Sequence, residues 1–541
     1  MTNRAVVIGL DGAAWHLLEP MIEAGIMPRL AELKNRGSSG PLRSTIPTYT
    51  PPAWTSAATG VNPGRHGIYG FVEGHAQYDH QELMHSGRIR SATIWQIANA
   101  QGARVGVYNL PLTYPPRELD GWMVSGMLTP GYGERARGFA TWSRGGGAEL
   151  EEKIFRWAPD HVLDLHTNYE QDWRDASLAR RGTESVEQRT RVLRGLIELD
   201  PPDLMFAVLE TPDRLQHVYY RYMDPSDELY GTAEARAIRT EIERCFAAID
   251  ESIGVLADFA GDSGGIFVCS DHGFTAWEVS VHTNALLAQW GYLKLKTGAR
   301  LMQTKMARSL VPVARRFLPR KVARQAKTRT FGAIDWESTR AFASPIPQQG
   351  IFVNLKGRER FGSVEPGQLD AVKMELKTRF EQLKGPDGSS VTDRVWLSEE
   401  VFSGDALNGA PDLLPVLKDH RYELDDEIFH TSAFTDYRHL PRGVHHPDGI
   451  GIVAGLGVDS ASPLDASVLD VTPTLLYLAG LKVPEGLDGR VVSQAFARET
   501  LELRPVEMIR PLAGARSDEN SPYSPEEEAQ IEESLRGLGY L

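Results

Sequence analysis

The sequence predicts an α/β fold in which a mostly parallel central sheet is flanked by helices. Short apolar, β-branched runs bounded by turn residues recur at AVVIGL (5–10), ARVGVYNL (103–110), LMFAVLE (204–210), GIFVCS (265–270) and GIGIVAGL (449–456). Longer stretches of helical period separate them, notably 191–199 and 233–259. Strands that alternate with helices pair in parallel, with the helices covering both faces of the sheet. In such folds chemistry collects where the carboxyl ends of the strands meet loops.

A chain of 541 residues forms either several domains or one large core with insertions. Its 24% charged and 41% hydrophobic residues are those of a soluble globular protein. The net charge of -14 excludes a general nucleic-acid binder, which needs clustered Lys and Arg across a face. Two cysteines, Cys245 and Cys269, fit a reducing compartment better than a disulfide framework. The amino terminus MTNRAVVIGLDG has too short an apolar run for a signal peptide, and no window approaches eighteen apolar residues. A cytoplasmic protein is expected.

Along the chain, residues 1–290 read as the first part of a catalytic core with an insertion at about 130–190, and 291–400 as a cap. Residues 401–500 return to the core, and 501–541 form a tail. Twelve Lys or Arg and no Asp or Glu fall between Trp290 and Ile334. This basic segment, 294–329, interleaves apolar residues as short amphipathic helices broken at Pro312 and Pro319 would. It reads as the solvated face of a cap, the rim of an anionic-substrate site, or a membrane-surface contact. LDVTPTLLYLAG predicts a helix entered near Asp470 and ended at Gly480, and Ser524, Pro525 and Glu527 form a capping box for a terminal helix.

Asp11 directly follows the first strand, in a GLDG turn that by itself decides nothing. In TYTPPAWTSAATG, Thr50 reads as a helix N-cap with Pro51 and Pro52 at the first two helical positions and Gly60 as the stop. A helix start attracts anions, so a hydroxyl there sits where a phosphate would bind. In ETPDRLQH, Asp213 and His217 stand four apart and share one helical face, where they can hold one metal ion. Asp271 and His272 in SDHGF leave a strand end together, and His445 and His446 precede the next strand. Carboxylates, imidazoles and a hydroxyl without thiolate suit Zn²⁺ or Mn²⁺.

The series VVIGLDG, TYTPPAWTSAATGVNPGRHGIYGF, ETPDRLQH, SDHGF and GVHHPDGIGI resembles the alkaline phosphatase superfamily, most closely its type I phosphodiesterase and nucleotide pyrophosphatase branch. Within that branch it looks like the group described as predicted phosphohydrolases or phosphomutases. The resemblance runs to DVTPTLLYLAGLKVPEGLDGR and the closing LGYL. It implies an alkaline-phosphatase-like core with inserted caps, a small phosphorylated substrate and two divalent metal ions, Zn²⁺ before Mn²⁺. It further implies that Asp11, Thr50, Asp271 and His272 surround one ion, and that Asp213, His217 and His445 hold the other. Thr50 rather than Thr48 aligns with the nucleophile, as the second hydroxyl of a Thr-x-Thr pattern. His445 is preferred to His446 because the family's ligand comes first in a His-Arg pair.

The implied enzyme is a metal-dependent phosphodiesterase or phosphatase that passes through a phospho-threonine, with two ions about 4 Å apart clamping the attacking and leaving oxygens. The chain departs from the nucleotide pyrophosphatase pattern at Phe71, where those enzymes carry an asparagine that donates to the phosphate. Arg65, Tyr49 and the basic segment are the candidate replacements. A phosphomutase of the same superfamily and a non-catalytic metal-binding scaffold are the alternative readings. A sulfatase is disfavoured because TPPAW lacks the Cys or Ser of that branch.

Overall fold

A computed structural model describes residues 4–72, 82–131, 136–169, 171–300, 332–343, 350–430, 432–514 and 520–538. The chain divides into two compact units, one built from Met1–Ile68, Met84–Ala276 and Pro441–Tyr540, the other from Tyr69–Leu83, Trp277–Leu440 and Leu541. The positions 290 and 400 singled out in the sequence both fall within the second unit. Most of the basic segment, residues 301–329, and the closing LGYL beyond Leu538 lie outside the described residues.

The first unit is an α/β core around a nine-stranded sheet. Five adjacent strands, Gly265–Cys269, Ala5–Leu10, Leu204–Leu209, Val105–Leu110 and Gly121–Ser125, run parallel in that order. Every residue of these strands is buried, which is why they read as unbroken apolar runs and not as alternating ones. On one side follow Asp448–Ala454, antiparallel to Gly265–Cys269, then Ser38–Arg43 and Ala466–Ser467, and Ala140–Trp142 closes the other. The Ala233–Ala260 helix buries Ile238, Ile242, Ile249, Ile253 and Leu256 along one stripe, and it packs against the Ser177–Leu199 helix and the sheet. Both cysteines are buried and free.

The register of the three central strands positions the site. Gly9 lies level with Val208 on one side and Cys269 on the other. Asp11, Asp271 and the start of the Thr211–Met223 helix therefore emerge at one level, at the carboxyl ends of neighbouring parallel strands. The Val471–Leu478 helix starts at N-cap Asp470, and the Pro525–Gly537 helix opens on the Ser524–Glu527 capping box. Among the described residues no helix is long and apolar enough to cross a membrane.

The second unit holds a four-stranded sheet ordered Ala341–Ala343, Ile351–Val353, Leu413–Leu417, Thr392–Leu397, and a three-stranded sheet centred on Val279–His282. Val281, Phe342, Phe352, Phe380 and Leu413 form its separate core.

The Thr50–Thr59 helix corrects the sequence reading by one residue. Tyr49 (φ -151°, ψ 141°) is the N-cap and Thr50 is the first helical residue, because the Ala53 N–H donates to Tyr49 O at 3.1 Å and closes the turn there. The Ala53 N–H is thus engaged within the helix and does not face an anion. With prolines at 51 and 52, the N–H left in the first turn is that of Thr50. All ten residues are buried. Trp54 lies against Gly9, where a Cβ would stand 2.6 Å from its ring, and its Nε1 donates to Asp11 Oδ2 at 3.1 Å. The Thr50–Thr59 helix is thereby tied to the first strand.

His66 anchors the far side of this helix. Its Nδ1 accepts from the Ile68 N–H at 3.1 Å, so Nε2 carries the proton and donates to Ser56 Oγ at 2.9 Å. Burial lowers its pKa from 6.5 to about 3. A depressed imidazole contributes stability that is present above pH 6.5 and lost as pH falls toward the folded value, because the unfolded chain alone binds the proton. The loss amounts to about 1.4 kcal/mol per pH unit. Urea midpoints should therefore fall between pH 6.5 and 5, and His66→Gln should flatten that dependence. An identical slope in both proteins would contradict this account of His66.

Candidate functional site

Two groups of acids and histidines stand side by side in the first unit: Asp213 with His217 and His445, and Asp11 with Asp271 and His272. In the first, Asp213 Oδ1 lies 3.3 Å from His217 Nε2 and 3.4 Å from His445 Nε2, and the two Nε2 atoms face each other at 2.9 Å. In the second, His272 Nε2 lies 3.2 Å from Thr50 Oγ1, 3.3 Å from Asp271 Oδ2 and 3.7 Å from Asp11 Oδ1. The His272 and His445 rings stack with centroids 3.6 Å apart, which joins the groups.

The proton positions follow from the acceptors. Nδ1 of His217 faces Gly443 O at 3.3 Å, that of His445 faces Thr48 O at 3.3 Å, and that of His272 faces Gly273 O at 3.1 Å. A carbonyl only accepts, so each Nδ1 carries the hydrogen and each Nε2 turns a lone pair inward. Two lone pairs at 2.9 Å repel unless a cation lies between them. Tetrahedral Zn–N bonds of about 2.0–2.1 Å place ligand atoms about 3.3 Å apart. The spacings within the two groups, 2.9 to 3.7 Å, bracket that figure, so these residues fit divalent ions.

Charge makes the same demand. Burial, then the neighbouring carboxylates, raises Asp11 and Asp271 well above the ordinary carboxylate range. For Asp213 burial pushes upward too, and the Arg214 guanidinium, which donates to its Oδ2, opposes that push. Burial lowers His217 and His272, which keeps the imidazoles neutral as metal ligation requires. Asp11 Oδ1 and Asp271 Oδ2 are buried without a hydrogen-bond donor among the described residues. Such oxygens are costly unless a cation meets them.

Local structure explains each placement. Asp213 and His217 lie one turn apart on the Thr211–Met223 helix. The Gly443–His446 strand pairs antiparallel with Gly273–Ala276, His445 opposite Phe274, and alternation sends His445 and His446 to opposite faces. His446 Nδ1 instead accepts from the Asp448 N–H at 3.2 Å. Gly12 takes φ 69°, and a Cβ there would meet the Phe274 ring at 2.6 Å. That ring stands edge-on to His217 at 4.8 Å.

Of the candidate substitutes for the asparagine, Arg65 is directed elsewhere, donating to Gly486 O at 2.5 Å and Asp488 Oδ1 at 3.1 Å. Tyr49 is buried with its ring 6.0 Å from that of His445. Phe71 is fully buried in the second unit.

Residues 5–447 match the family described as type I phosphodiesterase / nucleotide pyrophosphatase. The chain belongs to that family. Its members are phosphoester hydrolases of the alkaline phosphatase superfamily, and divalent metal is the cofactor of that superfamily. The fold agrees: phosphonoacetate hydrolase from Sinorhizobium meliloti 1021, solved with phosphonoacetate, aligns over 88% of this chain and 96% of its own, with TM-score 0.53 and 19% identity. Murine ectonucleotide pyrophosphatase / phosphodiesterase 5 aligns over 92% of this chain and 100% of its own, with TM-score 0.47 and 13% identity. No curated protein matches the chain by sequence.

Several residues that support the acid–histidine groups carry no local sequence signal. Arg214 Nη1 donates to Asp213 Oδ2 at 2.5 Å and Nη2 donates to Asp164 Oδ1 at 3.1 Å, which turns Asp213 Oδ1 toward the histidines. Gln216 Nε2 donates to Gly12 O at 2.8 Å and fastens the helix to the Asp11 turn. Asp164 lies fifty positions from Arg214, so only the fold brings the pair together.

Proposed function

We propose that this member of the family cleaves phosphodiesters with Thr50 as nucleophile, through a phospho-threonine, and that its two acid–histidine groups hold two divalent ions, Zn²⁺ by preference and Mn²⁺ as the alternative. The observation that carries the reading is the convergence of three Nε2 lone pairs and buried carboxylate oxygens, with Thr50 Oγ1 3.2 Å from His272 Nε2. Nitrogen and oxygen donors without thiolate support the choice of metals.

Ions bound there supply Lewis acidity that lowers the pKa of the Thr50 hydroxyl and balances charge on the phosphoryl and leaving oxygens. The remaining work belongs to the chain. Pro51 and Pro52 stiffen the helix start behind Thr50, and Trp54 holds Asp11 beside it. The Thr50 oxygen attacks phosphorus, the bond to the leaving alcohol breaks in line, and water then cleaves phospho-Thr50 to release the monoester and restore the hydroxyl. A diester is favoured over a monoester on charge. The guanidinium acting on Asp11 and Asp213 is that of Arg214, already bound to Asp213 and Asp164, and a single phosphate charge asks less of such a site.

Turnover of bis-p-nitrophenyl phosphate and p-nitrophenyl phosphate in ¹⁸O-water tests this reading. The expected result is a higher kcat/KM for the diester, with one solvent oxygen in the phosphate product. Preference for the monoester would overturn the substrate class, and absence of solvent oxygen would turn the enzyme into a transferase.

A further inference from the structure

Tyr169 puts a further aromatic hydroxyl side chain against His217. The residue lies on the segment leading into the Ser177–Leu199 helix and is 7% exposed. Its ring stacks on His217 with centroids 4.8 Å apart and planes 28° apart. Its backbone is held from both sides, the N–H donating to Gly537 O at 3.2 Å and the carbonyl accepting from Arg442 Nη2 at 2.6 Å. Side chain and main chain together leave the ring one position.

The hydroxyl at the end of that ring is buried and meets no hydrogen-bond partner among the described residues. Tyr219, by contrast, directs its hydroxyl to Asp172 O at 3.0 Å and Asp175 O at 2.7 Å. A phenylalanine would give His217 the same stacking surface without burying an unmet polar group. His217 Nε2 faces His445 Nε2 at 2.9 Å, and His445 stacks on His272 at 3.6 Å, so the Tyr169 ring stands against the side chains that join the two acid–histidine groups. In the first turn of the Thr50–Thr59 helix the Thr50 N–H is the backbone donor that is left. Pro51 and Pro52 lack N–H groups, Ala53 is engaged by Tyr49, and Arg65 is bound to Asp488.

We infer that the Tyr169 hydroxyl donates a hydrogen bond to a non-bridging oxygen of the phosphoryl group as it passes to and from Thr50. The inference rests on the reading of Thr50 as nucleophile. The proton stays on the tyrosine throughout: the bond strengthens as charge accumulates on the phosphoryl oxygen, which is how a fixed donor lowers a barrier. Tyr169 thus takes the place that the asparagine holds in nucleotide pyrophosphatases.

Tyr169→Phe removes only the hydroxyl. The expected result is a fall in kcat/KM for bis-p-nitrophenyl phosphate of about 10²-fold, the usual effect of deleting one oxyanion donor. Metal content and Tm should stay at or above wild-type values, and orthovanadate should bind more weakly by calorimetry. Unchanged kcat/KM and vanadate affinity, with wild-type activity abolished by Thr50→Ala, would overturn the role of Tyr169 and leave the nucleophile standing. Activity indifferent to Thr50→Ala would overturn both. A fall in rate accompanied by loss of metal would assign Tyr169 to packing against His217 and reject the donor role.

Discussion

Thr50→Ala is expected to lower kcat/KM toward bis-p-nitrophenyl phosphate by about 10⁴-fold or more, the scale seen when a covalent nucleophile is deleted. The residue is 2% exposed at the start of a wholly buried helix, and its hydroxyl faces His272 Nε2. Thr48, two residues earlier, donates to Thr45 O at 3.2 Å, and its carbonyl faces His445 Nδ1. Thr48 orients a histidine, and Thr50 is the residue proposed to react. The Ala variant keeps the helix, since Trp54, the prolines and the Ala53–Tyr49 bond are untouched, so its Tm should stay close to wild type. Thr50→Ser retains the oxygen and should retain part of the rate. Equal activity of wild type and Thr50→Ala would remove the nucleophile from the mechanism.

Chelation is expected to abolish activity and to lower Tm together, and Zn²⁺ or Mn²⁺ should restore both. The stability effect follows from mass action: an ion held at a thousand times its Kd stabilises the fold by about 4 kcal/mol, and chelation withdraws it. Electrostatics adds to the loss. Without cations, Asp11, Asp213 and Asp271 share one buried region, and paired Nε2 atoms oppose each other at 2.9 Å. Asp271→Asn removes one of these charges. The metal-free variant should therefore melt no lower than metal-free wild type, although it binds metal more weakly and turns over more slowly. A chelated wild type with unchanged Tm and activity would contradict the metal assignment.

The sheet was legible because its central strands are buried on both faces and so spell unbroken apolar runs. The seven candidate residues could be named because each sits within a few positions of a strand end or helix start, and the resemblance joined them into two sets. What local pattern could not carry was the support. Arg214 meets Asp164 across fifty positions, and Trp54 reaches Asp11 only because Gly9 leaves room for its ring. Tyr169 carried no signal at all, because stacking on His217 depends on how the segment before the Ser177–Leu199 helix folds back. The cap of Thr50 was misplaced by one residue because the proline rule disfavours helical geometry before Pro51, whereas the Ala53–Tyr49 bond starts the helix at Thr50 regardless. His446, adjacent to His445 and chemically identical, was separated from it only by strand alternation.

The central claim is a covalent phosphoryl group on Thr50, and rapid acid quenching of metal-loaded enzyme turning over bis-p-nitrophenyl phosphate tests it most directly. Mass spectrometry of the digested protein should find the nitrophenyl-phosphoryl adduct on the peptide containing Thr50, building up and decaying within turnover and absent from Thr50→Ala. Full turnover with unmodified Thr50 at every quench time, or an adduct on any other residue, would contradict it.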